Sequence, residues 1–92
     1  MIASFKHRGL RMLFEGDNRR RIAAAQVDKI KRVLARLDEV TDVNQMGLPG
    51  FGLHPLKGDR AGYWSVSVSG NWRIVFRFEG GNASDVDLVD YH

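Results

Sequence analysis

Residues 63–79 constrain the fold more than any other stretch of the chain. Trp64, Val66 and Val68 alternate with Ser65 and Ser67, and after the turn cluster Ser69-Gly70-Asn71 a second alternating run begins. In that run Trp72, Ile74, Phe76 and Phe78 fall on one face, and Arg73, Val75, Arg77 and Glu79 on the other. A period of two belongs to a half-buried strand, because successive side chains leave a pleated backbone on opposite sides. Two such runs around a turn require a sheet with one apolar face, and that face needs a cover.

The cover lies upstream. Leu10, Leu13 and Phe14 match a helical stripe within 7–15, and Gly16-Asp17-Asn18 breaks it. Val27, Ile30, Val33, Leu34 and Leu37 recur at spacings of three and four, so a second helix buries one side. Ala23-Ala24-Ala25 favours helix near its start, and the turn-like Thr41-Asp42-Val43-Asn44 ends it near Val40. Ile2 to Phe5 reads as an edge strand. Gly47-Leu48-Pro49-Gly50-Phe51-Gly52 reads as a mobile loop, and it lacks the Gly-Lys-Ser/Thr ending of a phosphate-binding loop. Gly80-Gly81-Asn82 predicts a hairpin turn and Val86 to Val89 a last strand. Residues 1–92 are therefore expected to form one α+β domain, two N-terminal helices packed on a small, mainly antiparallel sheet.

With no cysteine, neither a disulfide framework nor a thiolate metal site can form. Lys6-His7-Arg8 interrupts the short apolar start, so no signal peptide is expected, and no apolar run approaches the roughly 20 residues of a membrane span. These features fit a cytoplasmic protein. Charge is unevenly spread: residues 1–36 hold ten Lys/Arg against three acids, whereas residues 37–92 hold four against eight. Such asymmetry suits an anionic partner such as nucleic acid, and it also suits helix faces that are merely solvated.

Chemistry concentrates in Leu53-His54-Pro55-Leu56-Lys57-Gly58-Asp59-Arg60, in Asn71-Trp72-Arg73 and in the ending Asp90-Tyr91-His92. His7, His54 and His92 are not spaced as metal ligands, so no metal or other cofactor is expected. Ser65, Ser67 and Ser69 occupy ordinary strand and turn positions. What remains is acid/base and electrostatic chemistry, with His54, Lys57, Arg73, Asp90, Tyr91 and His92 as candidates. Cleavage of an RNA phosphodiester needs these types: a base for the 2′-hydroxyl, cations for the phosphate and an acid for the leaving 5′-oxygen. Each has a plainer reading. His54 can be a capped turn residue, Lys57 a solvated one, and Arg73 the partner of Asp59 or Asp90. Trp64 and Trp72 suit a core better than a base-stacking platform.

Ser4-Phe5-Lys6-His7-Arg8-Gly9-Leu10, Leu53 to Arg60, Gly62-Tyr63-Trp64-Ser65-Val66, Asn71-Trp72-Arg73-Ile74 and Asp90-Tyr91-His92 closely resemble the HigB toxins. These belong to the RelE/ParE superfamily of type II toxin–antitoxin systems, and the resemblance covers nearly the whole chain. It implies a RelE-like domain and a bacterial toxin that cuts mRNA in the A site of the translating 70S ribosome. It implies a HigA-like helix-turn-helix antitoxin, and contact with operator DNA only through the complex. It also implies that His54, Lys57, Arg73, Asp90, Tyr91 and His92 form the active-site concavity. On this reading Arg19, Arg20, Arg21, Lys29, Lys31, Arg32, Arg36 and Asn71 would contact RNA. The superfamily also holds gyrase inhibitors of the ParE type, so a protein-binding toxin without chemistry is the alternative.

Overall fold

A computed structural model describes residues 1–91. Its first helix, α1 (Arg8–Gly16), begins at His7, whose Nδ1 accepts from the Leu10 N–H at 3.1 Å. That satisfies one of the N–H groups every helix start leaves free. It stops at Asp17, whose left-handed φ of 51° turns the next amides back onto Leu13 and Met12. The second helix, α2 (Val27–Glu39), follows a short 3-10 turn over Ala24–Gln26, so the alanine run leads into it rather than opening it. Val27, Ile30, Val33, Leu34 and Leu37 are all buried, and Val40 caps the end as expected. In α1, Leu10 and Leu13 are buried but Phe14 is not. Its ring lies 5.7 Å from that of Phe5 and stays partly in solvent.

Both helices cover one face of a four-stranded antiparallel sheet in sequential order: β1 (His54–Pro55), β2 (Tyr63–Ser69), β3 (Trp72–Glu79) and β4 (Asn82–Asp90). Val66, Val68, Ile74, Phe76, Ala83 and Val86 meet the helices in one core. The expected N-terminal edge strand is reduced to two isolated parallel bridges, Ile2 to Ala83 and Phe5 to Val86, on the outer side of β4. Gly80 and Gly81 both take positive φ, as a tight two-residue hairpin turn requires.

Two bulges reconcile the alternation of neighbouring strands. Counting back from Ser69 opposite Trp72, a regular ladder would set Val68 against Arg73 and Ser67 against Ile74, apolar against polar on both faces. The register instead shifts between Ser69 and Ser67, so that Ser67 faces Arg73 and Val66 faces Ile74. β4 does the same. Arg77 faces Ser84 and Val75 faces Asp87, leaving one extra residue, Asp85, at φ 52°. A one-residue slip flips every later side chain, so an extra residue is the available repair.

The glycine-rich segment before β1, expected to be mobile, is anchored. Phe51 is buried in the core and its carbonyl accepts from the Ser67 N–H at 2.6 Å. Lys29 Nζ donates to the Gly50 carbonyl at 2.9 Å and lies 5.5 Å from the Phe51 ring. The phenylalanine within the glycine run supplies the anchor, which a count of glycines and prolines overlooks.

Candidate active site

The face of the sheet turned away from the helices carries the chemistry-bearing side chains. Residues paired across strands share a face. His54 pairs with Ser65, Ser65 with Val75 and Val75 with Asp87, which makes one row. Ser67, Arg73 and Val89 make the next. His54 and Arg73 therefore stand on the same open face, two strands and one row apart. At strand spacings of about 4.8 Å and a rise of about 3.4 Å per residue, their Cα atoms lie roughly 12 Å apart. That span suits a long arginine side chain reaching toward a phosphate that the imidazole also faces.

Arg73 is half-buried, and its Nη1 donates to Ser67 Oγ at 3.0 Å. Ser67 is held by the Phe51 carbonyl and crowded by Gly52, where a Cβ would stand 3.1 Å from Ser67 Oγ. Gly52 also has φ 58°, so a side chain there would strain the backbone as well. The anchored loop thus supports Ser67, and Ser67 steers Arg73. The plainer reading of Arg73 pairs it with Asp59 or Asp90. Among the described residues it forms no ion pair, and its partners across the neighbouring strands are Ser67 and Val89 rather than a carboxylate. Its charge is left for another anion.

Lys57 is exposed and immediately precedes the short 3-10 turn Gly58–Arg60, which returns the chain from β1 to β2. Tyr91 is tied to the β2–β3 turn, its N–H donating to the Asn71 carbonyl at 2.9 Å. Arg60 lies 5.6 Å from the Tyr91 ring, with Nη1 at 3.4 Å from the hydroxyl. Asp90 stands in register with Trp72, so alternation sends it to the Trp72 side of β4 and Tyr91 to the other. The fold thus brings His54, Arg73 and Tyr91 to one face with Lys57 on the adjoining loop, and it does not align Asp90 with them. His92 lies outside the described residues.

Trp64 packs against the core, but Trp72, on the same face, is 38% exposed at the outer end of β3. Two further residues belong to the site's surroundings, Ser67 against Arg73 and Arg60 against Tyr91. Sequence pattern alone makes Ser67 an ordinary strand residue. The signal that marks it is the phase conflict across the Gly70-Asn71 turn, which only a bulge placing Ser67 opposite Arg73 resolves.

The cations of α2 belong to the helix layer, on the far side of the sheet from His54 and Arg73. Several are engaged. Lys29 binds Gly50, and Arg36 donates to the Gln45 carbonyl at 3.2 Å. Lys31 lies 3.0 Å and Arg19 3.7 Å from Asp17. The hydrogen bond from Lys31, then its charge and that of Arg19, lowers the Asp17 carboxyl below its ordinary 3.8. Arg20, Arg21, Arg32 and Asn71 are exposed.

A family model described as the RelE-like toxin of the type II toxin–antitoxin system HigB matches residues 3–92. The chain belongs to the HigB family. Over all 92 residues, the full length of both proteins, it is 46% identical to a Proteus vulgaris protein named Endoribonuclease HigB. Two helices on a four-stranded antiparallel sheet agree with the RelE-like fold expected of a HigB chain. As a type II toxin it has an antitoxin for a partner. The enzyme class in the relative's name is the one expected here from the residues. No helix among the described residues is long and apolar enough to cross a membrane.

Proposed function

We propose that this HigB-family chain is an endoribonuclease that cuts mRNA in the A site of the translating ribosome. The observation that carries the reading is the face turned away from α1 and α2, on which His54, Arg73 and Tyr91 stand with Lys57 on the adjoining loop. A base on this face takes the proton of a ribose 2′-hydroxyl. The freed oxygen attacks the adjacent phosphorus, a cyclic phosphate forms, and the bond to the 5′-oxygen breaks as an acid protonates that oxygen. Arg73 and Lys57 stabilise the charge that builds on the phosphate, arginine by its planar fork and lysine as a point charge. His54, on this face, is one acid/base candidate, and Asp90 and His92 at the end of the sequence are the others, histidine being the group that changes charge near neutral pH. Tyr91 offers a ring for a base to stack on. The nucleophile comes with the substrate, so the mechanism calls for no metal.

The exposed cations of the helix layer grip ribosomal RNA, which accounts for the charge asymmetry. A HigA-like helix-turn-helix antitoxin neutralises the toxin, and operator DNA is met only through that complex. The test is primer extension on an mRNA with and without its start codon, in cells expressing the chain. Cutting of the translated message alone is expected. Equal cutting of both would remove ribosome dependence, and lost supercoiling with intact mRNA would favour a gyrase inhibitor.

A further inference from the structure

The open face holds a second feature that cleavage does not use. Beside Tyr63 of β2 and Val75 of β3 lies a cavity of about 260 Å³. Three carboxylates (Asp59, Asp85, Asp87) and two cations (Lys6, Arg60) ring it. Among the described residues none of these five forms an ion pair within 4.0 Å. The fold holds opposite charges apart across a space instead of letting them meet.

Asp85 reaches this ring through the bulge. It is the extra residue of β4, at a left-handed φ of 52° that aspartate tolerates better than most side chains. Its N–H donates to Ser4 Oγ at 2.9 Å and the Val86 N–H to the Ser4 carbonyl at 3.2 Å, so the N-terminal segment fixes the bulge. Bulges are frequent next to working sites, where they re-aim a side chain. Ser65, fully buried, shares the face of Tyr63 and pairs with Val75. Its hydroxyl has no partner among the described residues, which is rare for a buried polar group.

We propose that this cavity receives a nucleobase of the mRNA beside the cut, and that it selects bases bearing an exocyclic amine (adenine, guanine, cytosine) over uracil. The inference rests on the reading of the chain as an mRNA endonuclease. Lys57 and Arg73 suit the phosphate, whereas an excess of carboxylates repels one. A nucleobase carries no charge, and it has a flat surface for the Tyr63 ring and an edge of polar groups. An ionised carboxylate only accepts hydrogen bonds. It welcomes an amine and repels the carbonyl oxygen that uracil presents instead. Lys6 and Arg60 only donate, and they meet the ring nitrogen or carbonyl beside the amine. The cavity is smaller than the roughly 300–1,000 Å³ of sites for drug-sized ligands, in keeping with a single base. Arg60, touching Tyr91, joins it to the end of β4.

The test compares single-turnover cutting of ribosome-bound messages that differ only in the bases flanking the cut. The wild-type chain should cut beside amine-bearing bases ~10-fold or more faster than beside uracil, the scale of one good base contact. Asp85→Gly with Asp87→Ala should bring that ratio near one and leave cutting beside uracil unchanged. Glycine tolerates the φ of position 85, and circular dichroism confirms folding. If the double variant unfolds, Asp59→Ala, in an exposed turn, carries the same comparison. A wild-type ratio of one, or a ratio the variants keep, overturns the proposal. Titration of the full chain with adenosine, cytidine and uridine, followed by NMR, separates it from the cleavage reading. Shifts at Tyr63, Asp85 and Asp87 with adenosine and cytidine alone support the pocket even if no message is cut. Shifts there with argininamide and with none of the nucleosides would make it a socket for a cationic protein side chain and overturn it.

Discussion

Replacing Ser67 with alanine tests how Arg73 is held. The Ser67 hydroxyl accepts from the Arg73 guanidinium at 3.0 Å, and the serine is itself fixed through its backbone to Phe51. A hydrogen bond to a charged group contributes roughly 1.5–3 kcal/mol net. Arg73 is only half-buried, so water screens part of that and the lower end applies, about 1.5 kcal/mol. Each ~1.4 kcal/mol is tenfold in rate. If the bond's role is to keep the guanidinium aimed at the phosphate, Ser67→Ala should slow single-turnover cleavage on programmed ribosomes about tenfold. Arg73→Ala removes the cation itself and should cost about 10²–10³, the scale of losing one preorganised charge-stabilising donor.

The double variant decides the matter. A serine that acts only through Arg73 has nothing left to steer once the arginine is gone, so the double variant should cut as slowly as Arg73→Ala alone. Ser67→Ala leaves the backbone bond to Phe51 intact, so the chain should still fold cooperatively, with a melting temperature lowered by no more than roughly 6–12 °C, the equivalent of the lost ~1.5 kcal/mol. A Ser67→Ala chain that cuts at the full rate would refute the reasoning. So would rate reductions that simply multiply in the double variant, since Ser67 would then serve the reaction by another route.

Four other outcomes are expected. Replacing His92 with alanine should reduce the same single-turnover rate by about 10²–10⁴ if it is the general acid or base, with circular dichroism unchanged. Reversing the charge of exposed Arg20 and Arg21 should weaken ribosome binding, and its salt dependence should flatten by roughly 0.7–0.9 log units for each phosphate the variant no longer neutralises. Phe76→Ala, in the fully buried centre of the sheet, should cost about 3–5 kcal/mol in urea unfolding. Asp17 has a lowered folded pKa, so its pairing with Lys31 stabilises the fold above its ordinary value of 3.8 and is lost as pH falls through the lower folded value. The melting-temperature difference between wild type and Asp17→Asn should therefore be full at neutral pH, vanish in strong acid and shrink with added salt.

What can be read from the sequence is what periodicity encodes. The five inward positions of α2, the two alternating runs and both hairpin turns are local patterns, and the fold realises them. What cannot be read depends on how segments meet. Phe14 continues the apolar stripe of α1, but its ring is shared with Phe5 rather than with the core. Trp72 obeys alternation yet stands at the outer end of β3, where burial depends on what lies above. Composition alone makes the glycine-rich loop mobile, yet one phenylalanine in it has a place in the core.

The bulges mark where single-strand patterns stop being informative and pairs of strands take over. Each strand's alternation is legible alone, but the turn between two strands fixes their phase, and here the phases disagree by one residue on both sides of β3. Apolar side chains must still face the helices, so the chain must absorb an extra residue in β2 and another in β4. Those are the places where the open face gains its distinctive groups. In β2 the shift sets Ser67 beside Arg73, and in β4 it adds Asp85 next to Asp87. The same repair that keeps the core apolar divides the other face into a cationic part around Arg73 and a carboxylate-rich part around Tyr63. On the proposed reading, an RNA chain lying across that face would meet the first with its phosphate and the second with a base.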